Sequence, residues 1–396
     1  MRLYVWKGRA GIRKRVRRTG PLAGLVLVLI ASFSIAARDA GAFETTAKQA
    51  ILVDDVTGAV LYEKDATARM HPASMSKLMT LYVVFGLINE GRLGLDDTMM
   101  VSEKAWRMGG SRMFVEVGSR VTVRDLLRGV IIQSGNDACV VLAEGIAGSE
   151  AGFADMMNQK AAAIGLSASH FMNSTGWPHP DHLTSARDLA VLAHRIIHDF
   201  PQFYPIFSEK VFDYNNISQG NRNPLLKAYA GADGLKTGHT EAAGYGLTAS
   251  ALRAGRRLIL VANGMGSIKE RARETARLLD HGFSQFKNYE LFKSGDVVEE
   301  IEVWLGKRST VPLVIDRDVT LTLSREARKG LKVTVRAPGP VEAPVELAQE
   351  VAQLIIEAPG RNTMTIPLKA GQAVDSLSGF GRIGAAVSYL LWGEQG

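Results

Sequence analysis

At 396 residues the chain exceeds one typical domain, so two domains are expected. Its net charge of +7 and pI of about 9.4 suggest a nucleic-acid partner, but the charge is unevenly spread. Residues 1–42 hold nine of the 47 Lys/Arg and one of the 40 Asp/Glu; the other 38 basic and 39 acidic residues nearly cancel, which excludes that reading.

In chain order, the basic segment gives way to an apolar and small run, Leu22 to Ala37, and then to Ala40-Gly41-Ala42. This is the order of an export signal, with cleavage placed after Ala42 and Arg17-Arg18 leaving a twin-arginine route open. An uncleaved anchor is the competing reading, but the apolar run is short for a span of about 20 residues. Residues 50–63 alternate around Asp55-Val56-Thr57-Gly58, which predicts a hairpin. Helices are expected at about 74–90, 122–131, 135–146, 151–164 and 185–199, the last capped by Thr184 or Ser185. Cys139, the only cysteine, excludes an intrachain disulfide; among Ala138, Val140, Val141 and Leu142 it reads as helix packing. Strands at 244–253 and 256–264 precede a helix at 271–288. Strands framing a helical middle imply an α/β (α+β) domain, 43–289, with a sheet flanked by helices. From 290 to 373, short alternating runs such as Val319–Leu323 and Leu331–Val335 imply a small all-β domain without catalytic residues. The tail, 374–396, spaces Leu377, Phe380, Ile383, Val387, Leu390 and Leu391 helically, with Tyr389 and Trp392 near its end. It reads as an interfacial amphipathic helix, the alternative being a tail docked on the β domain.

Three short motifs occur in order: Ser74-Met75-Ser76-Lys77, Ser134-Gly135-Asn136 and Lys236-Thr237-Gly238. They form the parts list of a serine acyl-transfer site. On a helix, residues i and i+3 share a face, so Ser74 and Lys77 converge as nucleophile and base. Ser134 offers a second hydroxyl for proton relay and Asn136 an amide to grip a peptide. Lys236 and Thr237 supply a cation and a hydroxyl on a strand edge, and Gly238 permits close approach of substrate. Ser284-Gln285-Phe286-Lys287 repeats the first spacing, but it reads as surface helix. His179-x-x-His182 with Asp181, and His194 with His198, have metal-like spacing; lacking further ligands, they read as solvated loop and helix surface.

With their flanks, His71-Pro72-Ala73-Ser74-Met75-Ser76-Lys77, Gln133–Cys139 and Asp233–Thr240 resemble the low-molecular-mass penicillin-binding proteins, specifically bacterial D-alanyl-D-alanine carboxypeptidases. The resemblance runs from about Ile51 to the C-terminus and includes Thr184-Ser185-Ala186-Arg187-Asp188. It implies a β-lactamase-like transpeptidase fold and a Ser74 acyl-enzyme acting on peptidoglycan stem peptides, with β-lactams as covalent inhibitors. It also implies an oxyanion hole made by the N–H groups of Ser74 and His239, and a substrate carboxylate near Lys236, Thr237, Arg222 and Arg271. No metal or cofactor is required. A β-lactamase shares these parts but needs a glutamate to activate water, and none occurs between Glu150 and Glu209, where the loop offers only Asp181. A silent wall-binding protein remains a third reading, and it leaves the intact triple of Ser74, Lys77 and Lys236 unexplained.

Overall fold

The computed structural model describes residues 2–5 and 43–379 and divides the chain into two compact units, with the break between Gln285 and Phe286.

The unit 43–285 is built on a five-stranded antiparallel sheet. In spatial order its strands are Val60–Lys64, Gln49–Asp54, Arg256–Met265, Gly244–Arg253 and Ala232–Thr240. Side chains alternate across a strand, and that alternation sets two faces. Ile51, Ile259 and Val261 join the large apolar core formed with the helices Lys77–Asn89, Asn136–Ala147, Glu150–Ala163 and Ala186–Asp199. Their neighbours Leu52 and Leu258 point the other way, and both lie within 2.7 Å of where a Cβ on Gly282 would sit. Gly282 belongs to the helix Ile268–Gln285, which therefore covers the opposite face. The expected sheet with helices on both sides is present. Ala232–Thr240 is a terminal strand, so one edge of its backbone has no strand neighbour in this sheet.

Three expected elements differ in detail. The helix expected to open at Ser74 begins at Lys77, because Ala73 has φ +47° and Ala73–Ser76 forms a separate 3-10 turn. The helix expected over 122–131 stops at Arg128 and becomes a wide π-turn, Gly129–Gln133. The helix expected to run to Asn288 ends at Gln285, because Phe286–Phe292 pairs antiparallel with Val319–Ser324. The Ser284-x-x-Lys287 spacing is thus split between a helix end and a strand.

Among its described residues the second unit is largely β, with a short helix at Arg325–Lys329. Its main sheet includes Val297–Trp304, Thr310–Val314, Lys332–Ala337, Glu350–Glu357 and Met364–Ala370 around a core of Ile301, Leu313, Val335, Leu354 and Leu368. Arg2–Val5 pairs along Lys332–Ala337 at one edge. Val374 bridges to Val345, and the Leu377 N–H donates to the Leu305 carbonyl. The rest of the expected tail helix, and the export signal apart from Arg2–Val5, lie outside the described residues. Among the described residues, no helix is long and apolar enough to cross a membrane.

Candidate active site

The turn Ala73–Ser76 is wedged between the sheet and the loop after Phe171. A Cβ on Gly238 would come within 2.7 Å of the Pro72 carbonyl, so this glycine admits the protein's own turn. On the other side, the Ser76 hydroxyl donates to the Ala73 carbonyl (2.9 Å) and lies 2.7 Å from His182 Nε2. The Met172 N–H donates to His182 Nδ1, so Nε2 carries the proton and donates to Ser76. His182 is 2% exposed and burial lowers its pKa to about 4, so it is a neutral structural bridge and not the solvated loop residue expected. The loop folds around it because one ring satisfies two polar groups.

Lys77 is fully buried beneath Ser74. Its Nζ lies 2.8 Å from Ser74 Oγ, 2.7 Å from Asn136 Oδ1 and 2.6 Å from the Thr175 carbonyl. Burial lowers its pKa to about 8. The last two partners are pure acceptors. A neutral amine gives them its two N–H groups and turns its lone pair to the Ser74 hydroxyl. The Asn136 Nδ2 donates to the Gly109 carbonyl (2.8 Å), which fixes the amide with its oxygen toward Lys77.

Ser134 ends the π-turn in a left-handed conformation, φ +65°, which carries a strain cost for a non-glycine residue. Its hydroxyl accepts a hydrogen bond of 2.8 Å from Lys236 Nζ. Lys236 is fully buried in the terminal strand, and burial, then the charge of Lys77, holds its pKa well below the usual lysine range. A groove of about 750 Å³ lies above these lysines, lined by Ser74, Ser134, Asn136, Arg222, Thr237, His239 and Arg271 among others. All nine predicted residues therefore converge, seven on the groove wall and two lysines beneath it. The His239 ring is exposed and stacks on Tyr245 at 3.9 Å between centroids, leaving its backbone to the groove. Arg222 is steadied by a 2.8 Å bond from its Nε to the Gln133 carbonyl. Arg271 is 6% exposed, yet its Nε has no hydrogen-bond partner and its guanidinium has no carboxylate partner among the described residues. A buried, unpaired guanidinium on a groove wall is arranged to receive an anion.

Sequence reasoning missed three supports. Asp137 is 1% exposed and accepts the N–H groups of Met113, Phe114, Val115 and Ala138, tying a distant loop to the Asn136 helix. Its place in the first helical turn is the signal that could have found it. Thr175 reaches Lys77 through its backbone carbonyl, and Gly176 admits the Ala73 turn by lacking a side chain, so neither contribution leaves a chemical signal. Cys139 is buried with its thiol pushed up to about 12, in keeping with packing. Among the described residues, no carboxylate lines the groove. Glu150 accepts from the Ser174 N–H and hydroxyl and pairs with Lys104 at 2.9 Å, while the Asp181 side chain is 73% exposed outside the groove.

The chain matches the family model described as D-alanyl-D-alanine carboxypeptidase over residues 35–266, and that of the penicillin-binding protein 5 C-terminal domain over residues 286–376. It is 35% identical to D-alanyl-D-alanine carboxypeptidase DacF of Bacillus subtilis, across 88% of this chain and 92% of the relative. Penicillin binding protein 5 from Haemophilus influenzae aligns with a TM-score of 0.74 at 34% identity, covering 85% of this chain and 99% of that one. Penicillin-Binding Protein D2 from Listeria monocytogenes, solved in an ampicillin-bound form, aligns at 0.57 and 28% identity over 61% and 99% of the two chains. The paired serine–lysine contacts and the two matched domains agree: the chain belongs to the D-alanyl-D-alanine carboxypeptidase family, the low-molecular-mass penicillin-binding serine peptidases.

Proposed function

We propose that this carboxypeptidase works through a Ser74 acyl-enzyme for which Lys77 is the base. The observation that carries the reading is the setting of Lys77, whose two N–H acceptors leave one direction for its lone pair, toward Ser74. Ser74 attacks the carbonyl between two terminal D-alanines as Lys77 takes its proton. The substrate lies along the free edge of Ala232–Thr240, and the N–H groups of Ser74 and His239 receive the oxyanion. Ser134, held by Lys236, passes a proton to the leaving D-alanine. Lys236, Thr237, Arg271 and Arg222 provide the field and donors for the terminal carboxylate, and Asn136 orients Lys77 with an N–H to spare for the peptide. Water activated by Lys77 or Ser134 then releases the shortened stem peptide.

A β-lactam, whose carboxylate copies that of the substrate, enters the same path; the ampicillin-bound relative supports this. With no carboxylate on the groove wall among the described residues, its acyl-enzyme lacks the water-activating base of class A β-lactamases and persists. Brief incubation with penicillin followed by intact-mass measurement tests the scheme. One adduct should form and map to Ser74, and Ser74→Ala should gain none; an adduct surviving in that variant, or mapping to Ser284, refutes it.

We infer export and peripheral membrane attachment as well. The basic–apolar–small order of residues 1–42 supports export and cleavage after Ala42, which would also remove the Arg2–Val5 edge strand. The spacing of Leu377 to Leu391 supports peripheral attachment at the outer face of the cytoplasmic membrane. Truncation near Val374 should free the enzyme from membrane vesicles with activity intact. Identical partitioning of full-length and truncated protein refutes the anchor.

A further inference from the structure

The carboxy-terminal half of the Ala186–Asp199 helix carries His194 and His198 one turn apart, with ring centroids 4.3 Å from each other. The sequence lacked a third ligand beside them. The fold provides it from residue 55: His194 Nδ1 lies 2.8 Å from Asp55 Oδ1, and His198 Nε2 lies 3.0 Å from Asp55 Oδ2. Both imidazoles lie exposed on the helix surface, as expected, and each meets an oxygen of Asp55 there.

Asp55 is not needed for the hairpin turn in which it stands. Its neighbour Asp54 accepts the N–H groups of Val56 and Thr57, the Thr57 hydroxyl and the Arg256 guanidinium. The side chain of Asp55 is 5% exposed, and its two oxygens face the two imidazoles. Its backbone is fixed independently, by an N–H donated to the Arg257 carbonyl at 3.0 Å. The three donor groups lie within 4.8 Å of one another. A carboxylate held in place from behind and met by two imidazoles resembles the inner half of a coordination sphere.

We propose that Asp55, His194 and His198 form a binding site for a divalent transition-metal ion of the zinc type. Two imidazole nitrogens and one carboxylate oxygen are a common three-ligand set for zinc, and they leave a position for water. The nitrogen donors disfavour calcium and magnesium, which take oxygen ligands. Zinc–ligand bonds of about 2.0–2.2 Å need only modest rearrangement of donor atoms already this close. Each imidazole binds through the lone pair of the named nitrogen and keeps its proton on the other. The His194 and His198 side chains are 46% and 51% exposed, so water ligands and an entry path are available. None of the three residues lines the catalytic groove. The ion is a clamp between the hairpin turn and the helix, and it takes no part in acyl transfer.

The test is a titration of tag-free, chelator-stripped protein with zinc chloride, read by competition with a chromogenic indicator and by thermal unfolding. A single equivalent should bind and raise Tm, whereas calcium and magnesium at the same concentration should not. Asp55→Asn and the exposed-site variant His198→Ala, each removing a direct ligand, should weaken zinc affinity by at least the roughly 10–100-fold that loss of an outer-shell partner costs and leave the metal-free rate of penicillin acylation unchanged. His179→Ala, in the separate His179–Asp181 pair, should bind as wild type. Absence of zinc binding overturns the proposal, as does binding of equal affinity in the Asp55 and His198 variants.

Discussion

Gly176→Ala isolates how tightly the position of Ser74 is specified. Gly176 has φ +79°, and an added Cβ would lie 1.9 Å from the Ala73 carbonyl oxygen, 2.5 Å from its carbon and 3.0 Å from Ser76 Oγ. Carbon contacts settle near about 3.5 Å, so the turn beside Ser74 must retreat by more than about 1 Å or the loop must back away. Backing away moves the Thr175 carbonyl, 2.6 Å from Lys77 Nζ, so either response disturbs the Ser74–Lys77 pair. Left-handed strain costs about 1–3 kcal/mol and overpacking a similar amount, for a total of about 2–6 kcal/mol. Displacement of a reacting group by about 1 Å costs roughly 10²-fold in rate. Gly165→Ala is the control: φ is +80°, yet nothing lies within 4 Å of its added Cβ. It should lose about 1 kcal/mol from strain alone and acylate normally. Urea unfolding and the second-order rate of penicillin acylation separate the two effects. Wild-type acylation by Gly176→Ala, or an equal rate loss in Gly165→Ala, would refute the claim that this close approach positions the serine.

Further expectations concern protons and charge. Because Lys77 is lowered to about 8 and must be neutral to act, acylation should rise about tenfold per pH unit below 8 and level off above it. Lys77→Ala should abolish that limb and lower the rate by about 10²–10⁴; an unchanged acid limb would assign it to another group. His182 titrates at about 4 when folded against 6.5 in an unfolded chain. The unfolded state thus binds more protons between those values, and stability should fall as pH drops from 6.5 to 4, by up to about 1.4 kcal/mol per unit. His182→Gln should flatten that decline, and urea midpoints across this range would reveal a slope that persists. Arg271→Met should lower kcat/KM for a substrate with a free terminal carboxylate by about 10–100-fold, the worth of a charged hydrogen bond. An amidated analogue should be indifferent to the change, and equal losses on both substrates would remove Arg271 from carboxylate binding.

The ordered Ser-x-x-Lys, Ser-x-Asn and Lys-Thr-Gly motifs, the alternation along strands and the N-cap at Ser185 were legible because each is local: residues a few positions apart share a face or a turn. The same locality set the limits of the reading. The sequence places a helix start at Ser74 because nothing near Ala73 announces its φ of +47°, a conformation held against Gly238 of the terminal strand and against Gly176 and His182 of one loop. Thr175 serves Lys77 through a backbone carbonyl that every residue possesses, so its role has no chemical mark in the sequence. His194 and His198 looked incomplete because their carboxylate stands 139 and 143 positions away, and only pairing of the hairpin with the central strand carries Asp55 to the helix. Residue type specified which chemistry was available; the tertiary fold decided which groups lost their water and met, because desolvation and hydrogen-bond geometry depend on neighbours distant in sequence.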